Sequence, residues 1–492
     1  MKNSKRLIIT TMRIAASIFF SPNRGIGARP NQKGPTMSIH TTRTNTFVSI
    51  LAAVLLAGAA EGQLPFPGIS GPERWVDGPT AVQPGSTPDF SAVAVDDQGR
   101  RIHAWDANVG GANGREVFLR RFDADGAPLG NTASPAGDPV QVNTTTADLQ
   151  ARPRVAVSSD GSFLVVFDSR EQFSVNDALV QRTVVRSRAY GADGDPLGPE
   201  QLVSLQQTGT VNPSYVDVAS LRASDGSPDG YVVVWITHDS VGSDLNRSVQ
   251  GCVVGSNGVP GAEFQVNSDD PPNQDWSSVT ELADGGFLAI WTTANQVWGR
   301  RFNGAGGPIG NDFLISTTAL TQVVQKDAAI GWGGRVAVVW SGAEGVDGRE
   351  IRMRLYDGDL VSLGADFRVN TLTDDIQSEP RVADYGPEGF LVVWESEVAS
   401  GDDLGDSIEA RLVTDVDEFA GPQVQYNLWD DDGAQQYPAT HGWYGRLATS
   451  WDSPTWDDPS NAGFILGRDI EHCLFCDDFE WGSAWRWSAS VP

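Results

Sequence analysis

The sequence predicts an all-β fold: a seven-bladed β-propeller of four-stranded antiparallel blades, closed by an N-terminal strand that completes the last blade. Three observations lead there. Seven apolar, β-branched runs each close on one large aromatic, at Trp105, Phe167, Trp235, Trp291, Trp340, Trp394 and Trp451, with gaps of 62, 68, 56, 49, 54 and 57 residues. A self-similar period near fifty marks stacked supersecondary units. Glycine-bearing turns separate the runs, and the last unit lacks a fourth strand while an orphan strand precedes the first.

Each unit opens on a short strand, as in Pro153-Arg154-Val155-Ala156-Val157 or Pro380-Arg381-Val382-Ala383. A tight turn follows, at Asp160-Gly161, Asp229-Gly230, Asp284-Gly285, Gly333-Gly334 and Glu388-Gly389. Such pairs tolerate the positive φ that hairpin turns impose. The apolar run comes next, for example Phe163-Leu164-Val165-Val166-Phe167 or Phe390-Leu391-Val392-Val393-Trp394. Consecutive apolar positions imply burial on both faces, so the seven aromatics are expected in the core between blades. A loop of variable length leads to a third strand such as Glu350-Ile351-Arg352-Met353-Arg354, and a second turn leads to a fourth such as Glu263-Phe264-Gln265-Val266-Asn267. Four strands per fifty-odd residues suit a propeller blade, whereas an immunoglobulin-type sandwich needs about 100 residues per domain. The orphan strand is expected over Trp75–Val82; ring closure of this kind limits exposed sheet edges. The domain plan is a leader over 1–62, a linker over 63–71, the propeller over 72–470 and a tail over 471–492.

The repeat, written G-F-L-V-V-W-E-S … A-R … D-G-x-P-x-G-x-x-F-x-V-N, resembles repeats of secreted bacterial proteins, a resemblance that spans most of the chain and brings no catalytic motif with it. Sialidase Asp-boxes place their S-x-D-x-G-x-x-W after the third strand, whereas here the Asp-Gly turn precedes the second. The D-x-D-x-D-G loop of integrin-type repeats has no counterpart. The tail resembles the D-x-F-E-x-G … W-S segments that end exported Gram-negative proteins, through Asp477, Phe479, Glu480, Gly482, Trp487 and Ser488. Trp481 departs from the small residue usual there. The resemblance implies a sorting or surface-retention role for the tail.

A basic residue, Arg43, then the apolar stretch Phe47–Ala57, then small residues to Gly62 make a secretory signal peptide with Met37 as its start. That stretch is too short for a membrane span. The protein is therefore expected to be secreted or held at the outer surface, as a monomer. Of the 35 Lys/Arg and 63 Asp/Glu, residues 1–62 hold eight and one, so the remainder carries 27 basic and 62 acidic side chains. Lys326 is the single lysine beyond Lys33. Nucleic acid, which draws affinity from clustered Lys/Arg, is excluded as a partner. Acidic solubility and cation binding both account for the charge.

The first and third turns of each blade are short and end at one face. Loops after the second and fourth strands are long, acidic and gathered at the other, among them Glu171–Asp177, Asp269–Asp275 and Asp452–Asp458. Function concentrates on such loops. The densest acids are Asp402, Asp403, Asp406, Asp430, Asp431, Asp432, Asp457 and Asp458, candidate calcium ligands, or else solvated turn formers. Cys473 and Cys476 suit a local disulfide in an oxidising compartment, and Cys252 a small buried apolar residue. There is no G-x-S-x-G, no H-E-x-x-H and no phosphate-cradling loop. His103 is expected to be structural; His441 is expected to face the central channel and is the histidine best placed for chemistry. Paired carboxylates for glycoside cleavage are neither excluded nor selectable. The leading functional reading is a non-catalytic binding module for a glycan or a protein. The rival is a carbohydrate-active hydrolase or lyase with its site in the central funnel.

Overall fold

The computed structural model describes residues 73–77, 87–109, 114–175, 178–204, 214–223, 226–239, 246–268, 274–343, 348–373, 376–397, 406–427, 435–443, 446–453 and 464–471. The predicted leader and linker, the Cys473/Cys476 pair and the tail motif lie outside them. Among the described residues no helix is long and apolar enough to cross a membrane.

The fold is an all-β propeller of antiparallel blades. Among the described residues the strands form seven sheets, five with four strands and two with a fifth short one. The innermost strands are Thr87–Val95, Gln150–Val157, Ser214–Arg222, Asp275–Glu281, Gln322–Ile330, Gln377–Asp384 and Gln436–Trp443. Each contacts the next, and Gln436–Trp443 contacts Thr87–Val95. The second strands carry the apolar runs, and all seven closing aromatics are at most 1% exposed. Phe163 to Phe167 are buried without a break, because one face packs on the preceding sheet and the other on the following one.

Two repeated clasps explain motif letters of the repeat. The first uses the residue that ends V-N. Asn143, Asn267, Asn370 and Asn427 each accept, through Oδ1, a third-strand N–H, at Val117, Val249, Ile351 and Ile408, over 2.8–3.0 Å. Ser204 and Ser316 do the same for Val185 and Val297. The second clasp uses the third-strand arginine. Arg188, Arg300, Arg354 and Arg411 donate to the carbonyls of Val142, Val266, Ile315 and Val369 in the preceding sheet, over 2.6–3.1 Å. The same guanidiniums lie over Tyr190, Phe302, Tyr356 and Phe419. Turn glycines also face across seams: at Gly258 φ is +80°, and a Cβ there would lie 2.5 Å from that of Ala189.

The N-terminal strand is Glu73–Trp75, paired antiparallel with Phe464–Glu471. It starts earlier than the expected Trp75–Val82, and Val76 and Asp77 form a bend; residues 78–82 of that expectation lie outside the described residues. Val76 packs against Trp105, Phe118 and Phe122, and its carbonyl accepts Arg120 Nη1 at 3.1 Å, the same clasp as at the other seams. A second correction concerns Glu171–Asp177, expected as a rim loop. Strands Phe163–Val175 and Ala178–Tyr190 instead continue as one long hairpin. Strand formers Phe173, Val175, Leu179 and Val180 extend the pairing, and Arg186 holds Glu171 across it.

Candidate ligand site at the channel mouth

One repeat position breaks local backbone rules in every sheet. Phe90, Arg152, Tyr215, Trp276, Gln325, Glu379 and Tyr437 all have φ between +33° and +54°. Each lies at a register shift of an innermost strand, between Asp89/Ala92, Ala151/Arg154, Ser214/Asp217, Asp275/Ser278, Val324/Lys326, Ser378/Arg381 and Gln436/Ala439. These are β-bulges, which bend a strand and re-aim a side chain. A bulky residue at positive φ is strained, and glycine would relieve it. Seven large or polar side chains hold the position instead.

At three of the seven positions an acid from the preceding blade takes the displaced N–H. Asp106, Asp168, Glu395 and Asp452 immediately follow their blade aromatics. Asp106 Oδ2 accepts the Arg152 N–H at 2.7 Å, Asp452 Oδ2 the Phe90 N–H at 2.8 Å, and Glu395 Oε2 the Tyr437 N–H at 3.3 Å. An N–H turned out of its ladder would otherwise go unpaired. Asp89 Oδ1 shares the Phe90 N–H at 3.0 Å, so two carboxyls converge on one amide. Arg115 pairs with Asp89 and Asp106. Burial drives the Asp106, Asp168 and Glu395 carboxyls up to about 7, and burial together with Asp89 raises Asp452 well above its ordinary range.

The bulged residues touch around the axis. Tyr437 and Phe90 rings are 4.6 Å apart, Tyr215 and Trp276 rings 4.1 Å. Arg152 Cζ lies 5.5 Å from the Phe90 ring, and Gln325 Nε2 donates to Glu379 Oε1 at 2.8 Å. Glu379 also bears on the phenols of Tyr215 and Tyr437, from two different blades. The result is two aromatic pairs, one guanidinium, one carboxylate and one carboxamide around one mouth. Below it, the seven innermost strands line a cavity of about 140 Å³. The arrangement sets apolar faces beside a few polar groups, the usual economy of a small-molecule site.

Of the predicted calcium ligands, Asp406 alone is described. Its carbonyl accepts Gln435 N and its Oδ2 accepts Gln436 Nε2, which anchors it at the start of the last innermost strand. Asp402, Asp403, Asp430, Asp431, Asp432, Asp457 and Asp458 lie outside the described residues. Among the described residues no three metal-capable side chains gather. Asp452, read as the start of a rim loop, is instead a buried strand residue. Cys252 is a free, buried thiol. His103 is buried edge-on to Phe122, with its pKa lowered to about 3 by burial and then by Arg101. His441 lines the central cavity, accepts Val95 N–H at its Nδ1 (3.1 Å) and is lowered to about 4 by burial. That imidazole is bonded and neutral, and it lies near the opposite end of its strand from Tyr437.

The mouth residues escaped sequence reasoning although a signal exists. Phe90, Arg152, Trp276, Gln325 and Glu379 each stand 15 residues before their blade aromatic, and Tyr437 stands 14 before. An aromatic or charged residue at a strand's start carries no mark of positive φ.

No protein-family model and no curated protein matches the chain. Solved structures resemble it. A protein of unknown function from Dyadobacter fermentans is 13% identical, with 82% of this chain and 99% of that one covered at a TM-score of 0.46. The polysaccharide lyase Uly1 is 11% identical, over 77% and 89%, at 0.44. The intramolecular trans-sialidase from Ruminococcus gnavus is 8% identical, over 83% and 99%, at 0.42. At TM-scores below 0.5 none of these likenesses carries an argument about activity.

Proposed function

We propose that this chain is an exported seven-bladed propeller, closed by its N-terminal strand, that binds a glycan at the channel mouth without transforming it. The leader supports export. The Glu73–Trp75 pairing and the Arg120–Val76 clasp support closure. One observation carries the binding reading: a position strained in every innermost strand is held by Phe90, Arg152, Tyr215, Trp276, Gln325, Glu379 and Tyr437 rather than glycine. Strain that persists against an available relief points to function. Stacked aromatics with a few polar groups suit the apolar faces and hydroxyl edges of a sugar.

The test is titration calorimetry against a panel of neutral and acidic oligosaccharides. A binder should lose about tenfold or more in affinity with Trp276→Ala or Tyr437→Ala, the scale of an aromatic anchor, at an unchanged melting temperature. Equal binding by both variants would remove the mouth as the site. Appearance of new reducing ends or unsaturated sugars during incubation would instead favour the hydrolase or lyase.

A further inference from the structure

Two residues beyond the strained position, the innermost strands present four charged side chains to the cavity: Arg154, Asp217, Asp327 and Arg381. The two aspartates are already engaged. Asp217 Oδ2 accepts Ser278 Oγ at 2.7 Å and Val279 N at 3.0 Å; Asp327 Oδ2 accepts Val382 N at 3.0 Å. Both also bear on the Lys326 ammonium, which is 6% exposed and has no hydrogen-bond partner among the described residues. Arg381 has Glu379 at 3.2 Å and the Pro380 carbonyl at 2.9 Å.

Arg154 differs. Among the described residues its one hydrogen bond runs from Nη1 to the Pro153 carbonyl at 2.9 Å, and no carboxylate lies within ion-pair distance. Burial, and then the positive charge of Arg381, lower its pKa. Asp217, Glu379 and Asp327 act against that lowering without bonding it, so this half-buried guanidinium offers a planar fork that a carboxylate fills with two parallel hydrogen bonds. The cavity, about 140 Å³, has room for a ring substituent together with several waters. A ring held at the mouth would therefore send a side group down to Arg154.

We infer that Arg154, with Arg381 beside it, receives the carboxylate of an acidic sugar whose ring rests on the aromatic pairs of the mouth. The identity of the ring rests on the glycan reading above; the carboxylate subsite does not.

Three probes separate the two, at ionic strength matched with sodium chloride: acetate, D-glucuronate and D-glucose, each titrated into the full chain and followed by melting temperature and by NMR. Acetate and glucuronate should each give a saturable effect on the wild type. Arg154→Gln should lose both, by about tenfold or more in affinity, the scale of charge-assisted hydrogen bonds. Arg154→Lys, which keeps charge but not the fork, should fall between. Trp276→Ala should weaken glucuronate towards the level of acetate and leave acetate unchanged. Absence of a saturable acetate effect, or one that persists equally in Arg154→Gln and Arg381→Gln, overturns the carboxylate subsite. If glucose binds as tightly as glucuronate and Trp276→Ala abolishes both, the subsite falls while the mouth reading survives. Should acetate depend on Arg154 while glucuronate ignores Trp276, the subsite survives and the glycan reading falls. A melt of each unliganded variant within a few degrees of wild type certifies that it folds.

Discussion

Asp168 is fully buried beside Arg152 and Arg154, yet burial outweighs both cations and pushes its carboxyl from the ordinary 3.8 up to about 7. Its Oδ1 has no hydrogen-bond partner among the described residues. The folded chain therefore holds this proton more tightly than the unfolded one. Between about pH 4 and 7 the native state binds the extra proton, so the contribution of Asp168 to stability falls as pH rises through that window and is level above it. Asp106 and Glu395 act in the same sense, whereas His103 and His441, lowered by burial, act oppositely below about 6.5. Asp168→Asn isolates one group. Relative to wild type, the variant should gain on the order of 2–4 kcal/mol between pH 4 and 7.5, read from urea midpoints at each pH. Parallel pH profiles for the two proteins would show that Asp168 ionises normally.

Each blade depends on a short fourth strand, sometimes only two residues long, as at Phe367–Arg368 and Gln201–Leu202. Two ladder residues hold such a strand weakly. The Asn or Ser that follows supplies what the ladder lacks, by taking a third-strand N–H that has no backbone acceptor left. Asn370→Ala strands the Ile351 N–H in a buried site and should cost about 1–3 kcal/mol. Asn370→Ser should cost less, because Ser204 and Ser316 serve the same N–H in their own blades. Urea denaturation of the two variants gives the comparison; equal stabilities would mean that the side chain is a bystander. The Val-Asn of the repeat is thus a closure device. Its regular spacing made it visible as a motif before its role was.

The seam between the first and last sheets is the test of the molecule as a whole. Val76 fills against Trp105, Phe118 and Phe122 the place that Val142 fills within the next inter-blade core. Val76→Asp would put a charge into that contact and should lower stability by about 2–4 kcal/mol, seen as a fall of several degrees in the melt. An unchanged melt would detach residues 73–77 from the ring and undo the proposed closure. Contact between the first and last innermost strands also fixes the site. Tyr437 reaches Phe90, and Asp452 reaches the Phe90 N–H, only because the last innermost strand lies beside the first.

Strands, turns and the buried aromatics were legible because each is a local property. Alternation, β-branching and Asp-Gly pairs act over a few residues and repeat with the blade. Glu171–Asp177 was misread because length and acidity suggested a loop, while the hairpin register that made it a strand is set by residues on the partner. The mouth was legible only as a fixed spacing ahead of the blade aromatic, with nothing to mark what that position does. Positive φ at Phe90 or Arg152 arises at a bulge within an innermost strand, and the acid that takes the displaced N–H comes from another blade. By itself the chain's order determined the repeating unit, its burial and its acidic character. Only the tertiary structure decided which seven side chains meet, because their meeting depends on how the blades turn about a common axis and not on any neighbour along the chain.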